Sequence, residues 1–141
     1  MKELVLAGAS TLATAILVAP APGDDFSEAT ALLCSSSWAT VCTADEVCES
    51  GPPWSWNIPQ FVVIDLANKL LQTTVASGEN RETPITTLVR EDGHIFIQGI
   101  EAGRAFSFVI HEASGELIAA TASTLSATSV FAACTPLPVG D

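Results

Sequence analysis

The chain has 141 residues, and its 16 acidic against 5 basic side chains give a formal net charge of -11. Nucleic acid and anionic lipid are excluded as partners, because both require clustered Lys and Arg. A basic envelope protein is the partner such a surface would attract, and keeping an exported protein soluble is the plainer use of the same charge.

The first residues, MKELVLAGASTLATAILVAPAPG, run from a short charged start through an uncharged stretch, Leu4 to Ala19, into small residues and prolines. That order predicts a signal peptide over residues 1–21. Cleavage falls between 21 and 31, after Ala21, Ala29 or Ala31. An uncut membrane anchor is the alternative, although the apolar run is at or below the ~18 to 20 residues of a spanning helix. Removal of the signal leaves about 110 to 120 residues, enough for one core but not two, so residues 32–141 are expected to form a single β-domain. No membrane span is expected in the mature form, which would be periplasmic or secreted.

Short apolar runs separated by turn residues follow in chain order. Leu32–Val41, Gln60–Leu66 and Leu70–Ala76 read as strands, the last two joined by a turn at Ala67–Lys69. A polar loop, SGENRETP, leads to Ile85–Glu91, and Asp92-Gly93 joins that run to His94–Ile100. Asp-Gly between two β-rich runs is the strongest short-range hairpin signal, because both residues tolerate positive φ. EAGR then turns the chain into Ala105–His111, where Phe106, Phe108 and Ile110 alternate with smaller or polar neighbours. Leu117–Ser123 and Ser129–Thr135 complete a set of about seven or eight strands. The alanine-rich Glu116–Thr124 leaves a helix open as an alternative. Period-2 alternation with short loops predicts an all-β fold, a small antiparallel up-and-down β-barrel or a two-layer β-sandwich.

Cys34, Cys42, Cys48 and Cys134 lack the tight knuckle of a thiolate zinc site and the Cys-x-x-Cys of a redox centre. No metal and no cofactor is expected. An even count in an exported chain points to two disulfides, with three pairings open. Chain looping between Cys42 and Cys48 favours a local bridge, which leaves Cys34 with Cys134, the first strand with the last. Trp38 alternates to the same side as Cys34 and Cys42, so it is expected in the core beside the bridges.

Taken together, the Cys-rich opening CSSSWATVC, the F-x-x-x-D of Phe61 to Asp65, the strand GRAFSFVI and the closing FAACT resemble small uncharacterised periplasmic proteins of proteobacteria. The arrangement is also similar in architecture to the periplasmic inhibitors of c-type lysozyme, whose Ser-Gly-x-x-Tyr loop enters the lysozyme cleft. Ser77 and Gly78 match that loop, and Arg81 stands where the family has Tyr. The resemblance implies a lysozyme-inhibitor-like protein that binds a basic partner.

Three functional classes remain. The first is a non-catalytic binding module of the bacterial periplasm, with Trp54 and Trp56 projecting to one side if their segment is extended, and with Ser77, Gly78 and Arg81 in a candidate binding loop. The second is a small hydrolase. No Gly-x-Ser-x-Gly elbow is present, His94 and His111 each flank a turn, and the pairs Asp24-Asp25, Asp45-Glu46 and Glu91-Asp92 fall in loops or at strand ends, so no catalytic residue is assigned. The third is a carrier of a small apolar ligand. A barrel of this size is expected to be filled by its own Phe, Ile and Leu side chains, and a carrier would instead need an open cavity.

Overall fold

Turn chemistry builds the C-terminal half from hairpins. In the computed structural model, which describes residues 25–77 and 80–138, Asp92 and Gly93 have φ of 48° and 73°, and Ala102 and Gly103 have 48° and 77°. Two consecutive positive φ values are what a tight twisted hairpin requires. The first turn joins β6 (Thr87–Glu91) to β7 (His94–Glu101), and the second joins β7 to β8 (Arg104–His111). Alanine is a poor residue for that backbone, whereas asparagine tolerates it. Ala102→Asn is therefore expected to raise the unfolding free energy by about 0.5 to 1 kcal/mol in chemical denaturation, and Ala102→Val to lower it.

The remaining strands are β1 (Ala31–Thr43), β2 (Glu49–Gly51), β3 (Phe61–Asp65), β4 (Leu70–Thr73), β5 (Glu82–Pro84), β9 (Glu116–Ala122) and β10 (Ser126–Pro136). All ten belong to one antiparallel sheet, ordered β5-β4-β3-β1-β10-β9-β8-β7-β6, with β2 on β1. The sheet curls into a half-barrel, so the domain is a single bent sheet and not a two-layer sandwich. Glu116–Thr124, where a helix was the alternative, supplies β9.

Two short strands raise the count above the expected seven or eight. β2 forms where the Cys42–Cys48 bridge reverses the chain and lays Gly51 and Ser50 against Ala39 and Thr40. β5 lies in the stretch expected to be a polar loop and pairs with β4, Leu71 facing Thr83. Its polar residues satisfy backbone partners without a hydrophobic run to announce them.

First and last strands are neighbours, and Cys34 stands directly opposite Cys134 in the β1–β10 register, where the two form the long-range disulfide. The open seam lies elsewhere, between β5 and β6. The chain changes partners there within two residues: the Ile85 N–H bonds the Lys69 carbonyl at 2.9 Å, and the Thr86 N–H bonds the Gln98 carbonyl of β7 at 2.9 Å. Gly99 permits the approach, since a Cβ on it would collide with the Phe106 ring and lie 3.0 Å from the Pro84 carbonyl oxygen.

The core occupies one end of the concave face. Leu32, Ile64, Ile95, Ile97 and Ile110 are fully buried there, with Phe26 closing the end from below. Arg90 ties this N-terminal segment down: its Nη1 donates to the Phe26 carbonyl and to Glu112 Oε1, each at 2.7 Å, and its Nη2 donates to the Ala29 carbonyl at 2.9 Å. Hydrogen bonds from the Asn68 side chain and backbone hold the Asp65 carboxyl below the usual carboxylate range and fix the β3–β4 turn.

The convex face explains how alanine-rich β9 and β10 keep their register despite low strand propensity. Trp38, Phe131, Ile118, Val109, Phe96 and Val89 face one another in sequence across β1, β10, β9, β8, β7 and β6. Cross-strand apolar pairs of this kind contribute about 0.2 to 1 kcal/mol each, and a slip of one residue would break all of them at once. Trp38 is thus 49% exposed, not in the core as its sequence parity predicts. A bulge between Ser36 and Trp38 inserts one unpaired residue into β1 and exchanges the faces beyond it.

Candidate functional site

Small residues on the concave face leave room that the core does not fill. The inward positions of β9 and β10 carry Ala119 and Thr121, then Ser126, Thr128, Val130 and Ala132, where a filled barrel would place large aliphatic side chains. The result is a cavity of about 590 Å³. The expectation of an interior closed by Phe, Ile and Leu is corrected on this point. Those types are concentrated on β3, β7 and β8, and the opposite wall carries Ala, Ser and Thr with Val130.

The floor is apolar, formed by Ile64, Phe106, Leu117 and Cys34 of the long disulfide. One flank is covered by the segment after β2. Pro53–Trp56 coils into one 3-10 turn that stops at Asn57, whose φ of 56° turns the chain. The coil separates the two tryptophans expected on one side of an extended segment. Trp54 is 62% exposed, whereas Trp56 turns inward against Ala39 and Val130 and lines the cavity. Ser36 straps the same segment to β1: its Oγ donates to the Pro59 carbonyl at 2.9 Å and its N–H to the Gln60 carbonyl at 2.8 Å.

The mouth is polar. Glu101, at the end of β7, accepts a hydrogen bond from Thr83 Oγ1 at 2.8 Å and forms an ion pair with Arg81 at 3.7 Å, so these residues bridge the open seam. Arg104 stands opposite Glu101 in the β7–β8 register and is exposed. Of the expected binding residues, Trp56 and Arg81 reach the cavity. Trp54 does not, Ser77 spends its hydroxyl on the Thr74 carbonyl at 2.6 Å, and Gly78 lies outside the described residues. Sequence reasoning missed Glu101 and Arg104, which read as turn residues in EAGR. Their one signal is that three of the five basic residues are arginines, two of which line this cavity.

The histidines come together as well. His94 and His111 are directly opposite in register, with ring centroids 5.1 Å apart. Ser114 Oγ lies 2.9 Å from His111 Nδ1 and donates to Glu116 Oε2 at 3.0 Å. Its proton thus points at the carboxylate and not at the imidazole, the reverse of the order that activates a serine nucleophile. Among the described residues no group of three His, Cys, Asp or Glu is placed to hold a metal ion.

Comparison with protein-family models, curated proteins and solved structures gave no match to this chain.

Proposed function

We propose that the chain is an exported, non-catalytic binding protein that holds a small apolar or amphipathic molecule in the cavity of its half-barrel. The cavity itself carries the reading: about 590 Å³, apolar at the floor, polar at the mouth, and walled by a cross-linked sheet. Its volume falls within the roughly 300 to 1,000 Å³ of small-molecule sites, and a few polar groups on an otherwise apolar wall are how such sites orient a ligand. Rigidity favours the same use, because a preformed cavity does not have to be ordered on binding.

Export is the setting that belongs with it. Two disulfides persist in an oxidising compartment, and among the described residues no helix is long and apolar enough to cross a membrane. Signal cleavage after Ala21 is the site we favour. A cut after Ala29 or Ala31 would remove Phe26, which is only 4% exposed and whose carbonyl is bound by Arg90.

Fluorescence tests the cavity directly, because the chain has three tryptophans and no tyrosine. In a Trp38→Phe, Trp54→Phe background, Trp56 remains as the reporter inside the cavity. Titration with the neutral apolar probe N-phenylnaphthylamine is expected to saturate, with energy transfer from Trp56. Ala119→Leu with Ala132→Leu fills the space and is expected to weaken binding about ten-fold or more while the protein stays folded. Absence of saturable binding, or binding indifferent to the filled variant, overturns the proposal.

A further inference from the structure

The distribution of charge around the cavity says which end of a ligand faces outward. The chain carries five basic residues: Lys2 is outside the described residues, Lys69 sits in the β3–β4 turn, and Arg90 is committed to Phe26, Ala29 and Glu112 at the closed end. The other two, Arg81 and Arg104, both line the cavity, from opposite sides of the seam. Among the described lining residues Glu101 is the one carboxylate beside them, and its oxygen already receives the Thr83 hydroxyl at 2.8 Å. In a chain with 16 acidic side chains, two arginines and one glutamate are the charged groups among the described residues lining this cavity.

We infer that the cavity takes an amphiphile with an anionic head, such as a carboxylate, seated between Arg104 and Arg81 with its apolar tail on the Ile64, Phe106 and Leu117 floor. This rests on the cavity reading above and adds the chemistry of its ligand. Guanidinium groups match a carboxylate through paired N–H donors, and bonds to charged groups are stronger than neutral ones. Glu101 serves as a positioning residue: it holds Arg81 at 3.7 Å, an ion pair longer than a hydrogen bond, and fixes it at the seam. A cationic head would meet two guanidinium groups and a carboxylate already engaged by Thr83, so it is disfavoured at the same place.

Three probes of one chain length separate head from tail: decanoate, decanol and decyltrimethylammonium. Each is used to displace N-phenylnaphthylamine from the oxidised protein at about pH 8, where the acid is ionised. Decanoate is expected to displace the probe at about ten-fold lower concentration than decanol, with decyltrimethylammonium weakest. Arg104→Gln, at an exposed position, is expected to bring the decanoate-to-decanol ratio close to unity, and Arg81→Gln to reduce it. Equal displacement by decanoate and decanol in the unmodified protein, or a ratio that survives both substitutions, overturns the anionic head and leaves the cavity reading standing. Failure of all three to displace a bound probe likewise overturns the anionic head, and only failure of the probe itself to bind overturns both.

Discussion

Replacing Cys34 and Cys134 together by alanine is expected to lower the unfolding free energy by about 4 kcal/mol, and replacing Cys42 and Cys48 by about 2 kcal/mol. The difference follows from the chain closed by each bridge, since the sequence separations are 100 and 6. The long bridge removes far more freedom from the unfolded chain. It also lies in the β1–β10 ladder that joins the two halves of the curled sheet, so its loss falls on the contact that defines the half-barrel. For a domain of this size about 4 kcal/mol is a large fraction of total stability. Guanidinium titrations of the two double variants check the ranking, with the denaturant slope showing whether the unfolded state has expanded. An equal loss in both variants would mean that the paired strands alone hold the ends together.

That pairing was readable in the sequence because it depends on chain order: the first and last strands of a meander meet when the sheet closes. The Asp92-Gly93 hairpin was readable because two residue types dictate its backbone. Trp38 was not, since one extra residue at a bulge exchanges the two faces and leaves no mark on the hydrophobic pattern. Trp54 and Trp56 diverge for a related reason, the 3-10 turn that begins at Pro53, right after Pro52, in place of an extended chain. The cavity was missed because total size suggested a filled barrel, whereas the deciding quantity is which strand carries which volume. Ala119, Thr128 and Ala132 share a concave wall that only the register defines. Arg81, just before β5, and Arg104, at the start of β8, are far apart in the sheet order and line one cavity because the sheet bends.

The filled end of the half-barrel provides the second large effect. Gly115→Ala is expected to cost about 3 kcal/mol, as the sum of a left-handed backbone and an overpacked site. Gly115 has φ of 74°, and a Cβ there would collide with the carbonyl oxygen of Cys134 and stand 2.9 Å from the Phe26 ring. Neither neighbour can yield easily. The Cys134 backbone is fixed by its own N–H bond to the Gly115 carbonyl at 2.7 Å and by the disulfide, and Phe26 is held from behind by Arg90. Gly93→Ala supplies the control, because φ there is 73° but nothing lies within 4 Å of the added carbon. That variant should lose only the backbone contribution, about 1 kcal/mol. Thermal or guanidinium unfolding of the pair separates the two causes. Equal losses would show that the Gly115 site relaxes around a methyl group, whereas a surplus at Gly115, with faster proteolysis near Phe26, would show that the disulfide, the glycine and the N-terminal plug act as one packed unit closing the floor beneath the cavity.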